Sequence, residues 1–426
     1  MNRETKNDLA WELIFNKYDI INSIEKDGAF KIQSNTINEY RESRLMTKFD
    51  HQTQLPKIFK DNNLSIIPIS RNEYLIGNFK THHSFEPTTD NKIIYKQPLI
   101  SLESLDYNNI RSESSAINCA FIADILQDFT NEPTLFHTIS GRMSSSNFNF
   151  QIDTDHQNYN VEVNNSQIEI DGGFEGDNSL ILIEAKNYLS DDFIIRQLYY
   201  PYKLWISLVN KKVRPIFLSY SNGIFHLREY EFQDNNLYNS IKLKQYKKYS
   251  IINEIINTEV ILDIINNTDT INEPQIPFPQ ADNFERIINL CELLKQKNTL
   301  SKNYITQNYN FDPRQSDYYS NAGKYLGLIE NTDNSHKLKL SQKGIDILNY
   351  PINKRQLEFI KSIICHKVFK DSLSLYLKKG EPPTKMEIID IMKHSNLYKI
   401  RSEETYQRRS STILSWINWI IGLIDE

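Results

Sequence analysis

Residues 161–205, VEVNNSQIEIDGGFEGDNSLILIEAKNYLSDDFIIRQLYYPYKLW, decide how the rest of the chain is read. Val161 and Val163 flank Glu162, and Ile168 and Ile170 flank Glu169, a period of two that reads as strand. Leu180-Ile181-Leu182-Ile183 is continuously apolar, the mark of a central strand buried on both faces. Asp171 stands where an alternating strand is expected to end at a Gly172-Gly173 turn. Glu184 and Lys186 close the apolar strand two residues apart, hence on one face of the sheet. Two charges on one face at the end of a buried strand call for a polar cleft.

Working outward, residues 114–129 read as one amphipathic helix, followed by a strand alternating at Phe148 and Phe150. Residues 191–209 read as a helix, and residues 215–220 and 224–232 as strands. The expected fold class is α/β, a core with a mixed sheet flanked by helices, over residues 111–272. Residues 1–110 read as an N-terminal α+β module opening on a helix with Leu9, Trp11, Leu13, Ile14 and Tyr18 in its apolar stripe. The polar stretch 81–106 marks its end, and His82-His83 are expected in a surface loop. The Asn-rich stretch 266–280 is a second boundary.

Residues 280–350 promise helices at 283–295 and 301–309, then a third that Asp312 caps, Pro313 starts and Gly327 stops. Residues 328–340 follow as a short hairpin. Three helices and a hairpin make a winged helix-turn-helix. Residues 351–426 are expected to be helical, with a long helix at 354–377, as a second domain of the same kind.

Composition narrows the function. The chain has 426 residues with 39% hydrophobic, 24% charged and 12% aromatic residues, ordinary for a folded, soluble chain. The opening MNRETKNDLAWELIF is charged where a secretion signal is apolar, and residues 413–424 are too short to span a bilayer. No membrane partner is therefore expected. Cys119, Cys291 and Cys365 are too scattered for a disulfide framework or zinc knuckle, which suits a cytoplasmic protein. The net charge of −5 hides an asymmetry: residues 276–426 carry 22 Lys and Arg against 17 Asp and Glu, the remainder 27 against 37. Positive charge is thus expected to gather in a C-terminal nucleic-acid reader and carboxylates in the body. No nucleotide-binding glycine loop is present, which argues against an ATP-driven motor.

Two carboxylates beside a lysine suit a Mg²⁺ site, because hard divalent cations take oxygen ligands and keep several waters. Asp171, twelve intervening residues, then Glu184-Ala185-Lys186 resemble the signature of the PD-(D/E)XK nuclease superfamily. Gln197, on the next helix, is similar to the glutamine of one branch of that superfamily. The proline usual before the first Asp is replaced by Ile170, and the family's upstream helix acid has no clear counterpart, Glu162 being on a strand. The resemblance implies a restriction-endonuclease-like core in which Asp171 and Glu184 hold Mg²⁺, Lys186 stands at the attacking water, and Gln197 completes the catalytic set. It implies hydrolysis of phosphodiesters to 5′-phosphate and 3′-hydroxyl ends.

Candidate DNA contacts lie elsewhere. The small-residue loop 140–146 offers Arg142 and Ser144 to phosphate, or equally is an ordinary turn with Arg142 in a surface ion pair. Arg314, Asn321 and Lys324, with Gln315 beside them, occupy one face of the third helix, as side chains able to reach base edges in a major groove. Arg408 and Arg409 begin the last helix. With the winged helix, the resemblance extends to type II restriction endonucleases: a Mg²⁺-dependent, ATP-independent enzyme cutting double-stranded DNA at a defined site. The resemblance implies a homodimer beside a cognate DNA methyltransferase, with residues 1–110 expected to be an accessory recognition module. The alternatives are a repair or branched-DNA nuclease, or a non-catalytic DNA-binding regulator.

Overall fold

Every residue of the Ser179–Lys186 strand is buried, as its apolar run requires. In the computed structural model, which describes residues 5–87, 92–97, 102–155, 158–251, 256–309, 313–332 and 337–425, it lies inside a seven-stranded mixed sheet. In order across the sheet the strands are Ile93–Lys96, Ile241–Ile251, Ile224–Phe232, Lys212–Ser221, Ser179–Lys186, Gln167–Glu175 and Phe136–Ser144. Ser179–Lys186 runs parallel to Lys212–Ser221, and the helix Arg196–Ile206 makes the crossover between them. Its other neighbour, Gln167–Glu175, is antiparallel, with Ile183 opposite Gly172. Ile181, Ile183 and Ala185 pack under the helix Glu113–Ile122, and Leu180 and Leu182 pack towards Trp205 and Ile206 of the crossover helix. Each such fully buried aliphatic side chain stabilises the sheet by roughly 1.5–3 kcal/mol. The chain is therefore mixed α/β.

Several expectations change. Gly172 and Gly173 do not turn but continue the strand to Glu175. They are glycines because neighbours press on them. A Cβ on Gly173 would lie 2.7 Å from that of Ile139, and one on Gly172 would lie 3.1 Å from Ile117 of the overlying helix. Arg142 and Ser144 lie in the Phe136–Ser144 strand rather than a loop, and Gly141 at φ +90° marks an irregularity in its pairing. Residues 114–129 form two helices, Glu113–Ile122 and Ile125–Thr130, broken where Asp124 turns left-handed. The strands Asn147–Asp153 and Asn158–Asn164 pair as their own hairpin.

The stretch read as a helix from 191 begins instead with the strand Asp192–Ile194, which pairs with His82–Ser84. Short apolar runs fit either period, and here the tertiary partner decides. His82 and His83 are therefore half-buried in a strand. Ile93–Lys96 forms the sheet's edge, so the 81–106 stretch is stitched into the central unit rather than closing the N-terminal module. That module packs the helix Lys6–Tyr18 over a sheet of Ala29–Gln33, Glu73–Gly77 and Ser65–Pro68. Trp11, Ile14 and Phe15 face its core, whereas Leu9 and Leu13 are exposed.

In the C-terminal part, Phe284–Lys297, Lys302–Asn308 and Pro313–Tyr325 are helices, followed by the antiparallel pair Ile329–Asn331 and Lys337–Leu340. Tyr319, Ala322 and Leu326 face inward. The Asp312 cap and the turn at 333–335 lie outside the described residues. The single helix expected at 354–377 is two, Ile352–Ile364 and Lys367–Lys379, interrupted at Cys365-His366. Residues 351–425 are helical as expected, with four helices and no strand. They also share one core with residues 280–350, Phe284 meeting Trp416 edge-on at 5.1 Å. Among the described residues, no helix is long and apolar enough to cross a membrane.

Candidate active site

The register that sets Ile183 opposite Gly172 brings Asp171 beside Glu184 where the two strands part. Asp171 Oδ2 accepts the Ala185 backbone N–H at 2.8 Å, which fixes its carboxylate against the Glu184-Ala185-Lys186 end. Glu184 and Lys186 share a face, and Lys186 Nζ donates to Glu184 Oε1 and, at 3.1 Å, to the Ala185 carbonyl. The crossover helix aims Gln197 at the same oxygen, its Nε2 donating to Glu184 Oε1 at 2.6 Å. Asp171, Glu184, Lys186 and Gln197 thus come together on the floor of a cleft of about 2450 Å³.

Two acids absent from the sequence reading join them. Glu113, in the first turn of the helix that Gly172 lets close, puts Oε1 3.8 Å from Lys186 Nζ. Its only local signal was an acid just inside a Ser112-capped helix start. Asp50 reaches the cleft from the N-terminal module. Burial raises its carboxyl pKa, but Lys48, Lys186, His51 and Arg196 together outweigh burial and hold it below the usual value. Nothing local to residue 50 announces that position.

The electrostatics divide the roles. Burial first, then the Asp171 charge, pushes Glu184 up to about 8, against the opposing pull of Lys186. Burial also raises Asp171 and Glu113. Burial works against a charged Lys186, but Glu184, Tyr188, Glu113 and Asp50 prevail and hold its pKa well above the ordinary value. Lys186 is thus a fixed cation among desolvated carboxyls. Among the described residues, the buried Gln197 Oε1 has no hydrogen-bond partner. Among the described residues, no three His, Cys, Asp or Glu side chains close into a cage. Two carboxylates and a spare amide oxygen suit a cation that keeps most of its waters, as Mg²⁺ does.

The segment after Lys186 ties three parts of the chain together. His51 Nδ1 lies 2.9 Å from Asp192 Oδ1, and its Nε2 lies 2.9 Å from the Tyr188 hydroxyl. Tyr188 meets Tyr309 of the C-terminal part edge-on, at 5.6 Å. Arg286 donates to Asp191 at 2.5 Å, and Asn289 accepts from the Leu189 N–H at 3.2 Å.

The expected DNA contacts scatter. Arg142 lines the cleft and faces Glu169 at 3.3 Å, both side chains about half exposed, which is the ion pair the sequence left open. Ser144 bonds Asn165 and is not part of the cleft lining. Gln315 lines the cleft, whereas Arg314, Asn321 and Lys324 do not. Burial and nearby Lys302 lower the Lys324 pKa. Arg408 and Arg409 lie away from the cleft, Arg408 facing Glu404 at 4.0 Å.

Three family models match the chain, each described as a domain of unknown function: DUF6996 over residues 8–76, DUF6997 over 77–250 and DUF7226 over 286–425. No curated protein and no solved structure matches it.

Proposed function

We propose that the protein is a Mg²⁺-dependent nuclease that hydrolyses phosphodiester bonds of double-stranded DNA, and that the cleft floor is its active site. The observation that carries this reading is the convergence of Asp171, Glu184, Lys186 and Gln197 with Glu113 at the end of one buried strand. The strand order around Ser179–Lys186 and its crossover helix support a restriction-endonuclease-like core. The three helices and hairpin of residues 284–340 support a winged helix.

Asp171 and Glu184 would hold the ion, with the Gln197 amide oxygen beside them. Bound there, Mg²⁺ supplies positive charge beside a scissile phosphate and lowers the pKa of a water. Lys186 stays protonated, so its part is to donate hydrogen bonds to the water or to the phosphate oxygen that gains charge, not to accept a proton. Glu113 and the Ala185 carbonyl orient that ammonium. Gln197 orients the Glu184 carboxylate. In the reaction the water oxygen bonds to phosphorus and releases one proton to solvent, the P–O3′ bond breaks, and the 3′ oxygen takes up one proton from solvent.

Site-specific cutting, a homodimer with one active site per strand, and a cognate methyltransferase as genetic partner belong to the same reading. Three free cysteines suit a reducing cytoplasm. The test is to incubate a plasmid of known sequence with the protein and Mg²⁺ or EDTA, and to sequence the ends. Discrete 5′-phosphorylated ends formed only with Mg²⁺ are expected. An intact plasmid under every divalent cation tried would overturn the reading.

A further inference from the structure

The charge around the cleft is distributed otherwise than along the sequence. Among the described residues lining it, the N-terminal module supplies eight Lys and Arg against four Asp and Glu. The central unit supplies three against seven, and the C-terminal part only uncharged Asn303, Tyr304, Thr306, Tyr309 and Gln315. The positive side of the cleft is therefore the N-terminal module, although residues 276–426 carry the excess of Lys and Arg along the sequence.

We propose that the N-terminal module is the wall that grips the phosphate backbone of a DNA duplex and holds it against the acidic floor. The choice of DNA rests on the nuclease reading above. Duplex DNA is a dense line of negative charge. The floor carries more acids than bases and repels it, so cations across the cleft favour the approach of a substrate to Glu184. Arg44, Lys57, Arg71 and Lys80 are exposed there and form no ion pair among the described residues. Arg41, beside them, is steered by a 2.5 Å hydrogen bond to Asn7. The wall is also tied to the floor: His51 bonds Asp192 and Tyr188, and Tyr188 lies two residues beyond Lys186. The uncharged C-terminal lining, with Gln315 and Asn303, has hydrogen-bonding groups suited to base edges and sugars but brings no charge for phosphate.

The test compares two triple variants of the full chain by fluorescence anisotropy on a labelled duplex, without divalent cation, over a series of salt concentrations. One is Arg44→Gln/Lys57→Gln/Arg71→Gln; the other is Arg314→Gln/Arg408→Gln/Arg409→Gln. Each lost phosphate contact flattens the log–log salt dependence by about one unit. The first variant is expected to flatten it by about 2–3 units and to weaken binding at least roughly tenfold. The second is expected to change the slope by less than about one unit. Thermal melting confirms that each variant folds, and Arg44→Glu, a single exposed reversal, is expected to weaken binding more than an Arg44→Gln change does. An unchanged slope in the first variant, a larger loss in the second, or no duplex binding by the parent protein would overturn the proposal. Parallel Mg²⁺ cleavage assays separate it from the reading it rests on. Cleavage with an unchanged slope defeats the wall alone, and slope-dependent binding without any cleavage defeats the nuclease alone.

Discussion

The Glu113 carboxylate lies 3.8 Å from the Lys186 ammonium, joining the first turn of one helix to the last residue of the central strand. Glu184 holds the same ammonium from its own strand, and Glu113 holds it from the overlying helix. Glu113→Gln keeps the shape and removes the charge. It is expected to lower Mg²⁺-dependent cleavage by about 10–100-fold while leaving duplex affinity within about twofold, because a positioning partner is lost and no phosphate contact is. A cleavage time course beside an anisotropy titration reads both. Full activity would remove Glu113 from the site.

Glycine at 172 is what allows that helix to close. A Cβ there would press on Ile117 at 3.1 Å, and one at Gly173 would meet Ile139 at 2.7 Å. Gly173→Ala is expected to cost about 1–3 kcal/mol through overpacking. Gly172→Val is expected to cost activity beyond its cost in stability, because it pushes the Glu113 helix outward. Urea denaturation and cleavage rates of the two variants check this. Equal loss of activity per unit of lost stability in both would contradict it.

The buried Glu184 makes the metal-free protein sensitive to pH. Its carboxyl sits near 4.5 when unfolded and at about 8 in the fold, raised by burial and then by Asp171. The folded state therefore holds the proton more tightly. The stability from this group is complete below about 4.5 and is lost as pH rises through about 8. The metal-free Tm should fall over that window, and Glu184→Gln should flatten the fall. In the proposed Mg²⁺ site the ion would displace the same proton, so any stabilisation by Mg²⁺ should grow across the window. A melting series with and without Mg²⁺ measures both. Parallel curves for wild type and Glu184→Gln would contradict the assignment.

His51 anchors the N-terminal module at the floor. His51→Ala leaves the buried Asp192 carboxylate and the Tyr188 hydroxyl without that partner, with an expected loss of about 2–4 kcal/mol. The denaturation midpoint checks the magnitude. A loss under about 0.5 kcal/mol would mean that the module is held by its other contacts.

The local signals in the sequence carried the centre of the fold and little of its surroundings. Leu180 to Ile183 declare a strand buried on both faces by composition alone, and the step of two from Glu184 to Lys186 places both on one face. Asp171 follows from the neighbouring alternation. Glu113 and Asp50 were not legible, because each reaches Lys186 through long-range docking that no local period records. The Asp192–Ile194 strand was hidden for a related reason. Phe193, Ile194 and Ile195 suit a helix start as well as a strand, and only pairing with His82–Ser84 settles which. The charge asymmetry along the sequence does not map onto the cleft, for a third reason. A sum over residues 276–426 ignores which face the charges occupy, and Arg408 and Arg409 do not line the cleft while Arg44 and Arg71 do.

In the proposed nuclease the Lys186 ammonium serves the chemical step at a Mg²⁺ site. Lys186→Ala, assayed for plasmid cleavage with Mg²⁺ and for duplex binding at matched salt, tests it most directly. Cleavage should fall by at least about 10³-fold, with binding within a few-fold of wild type. Cleavage at the wild-type rate in that variant would contradict the account.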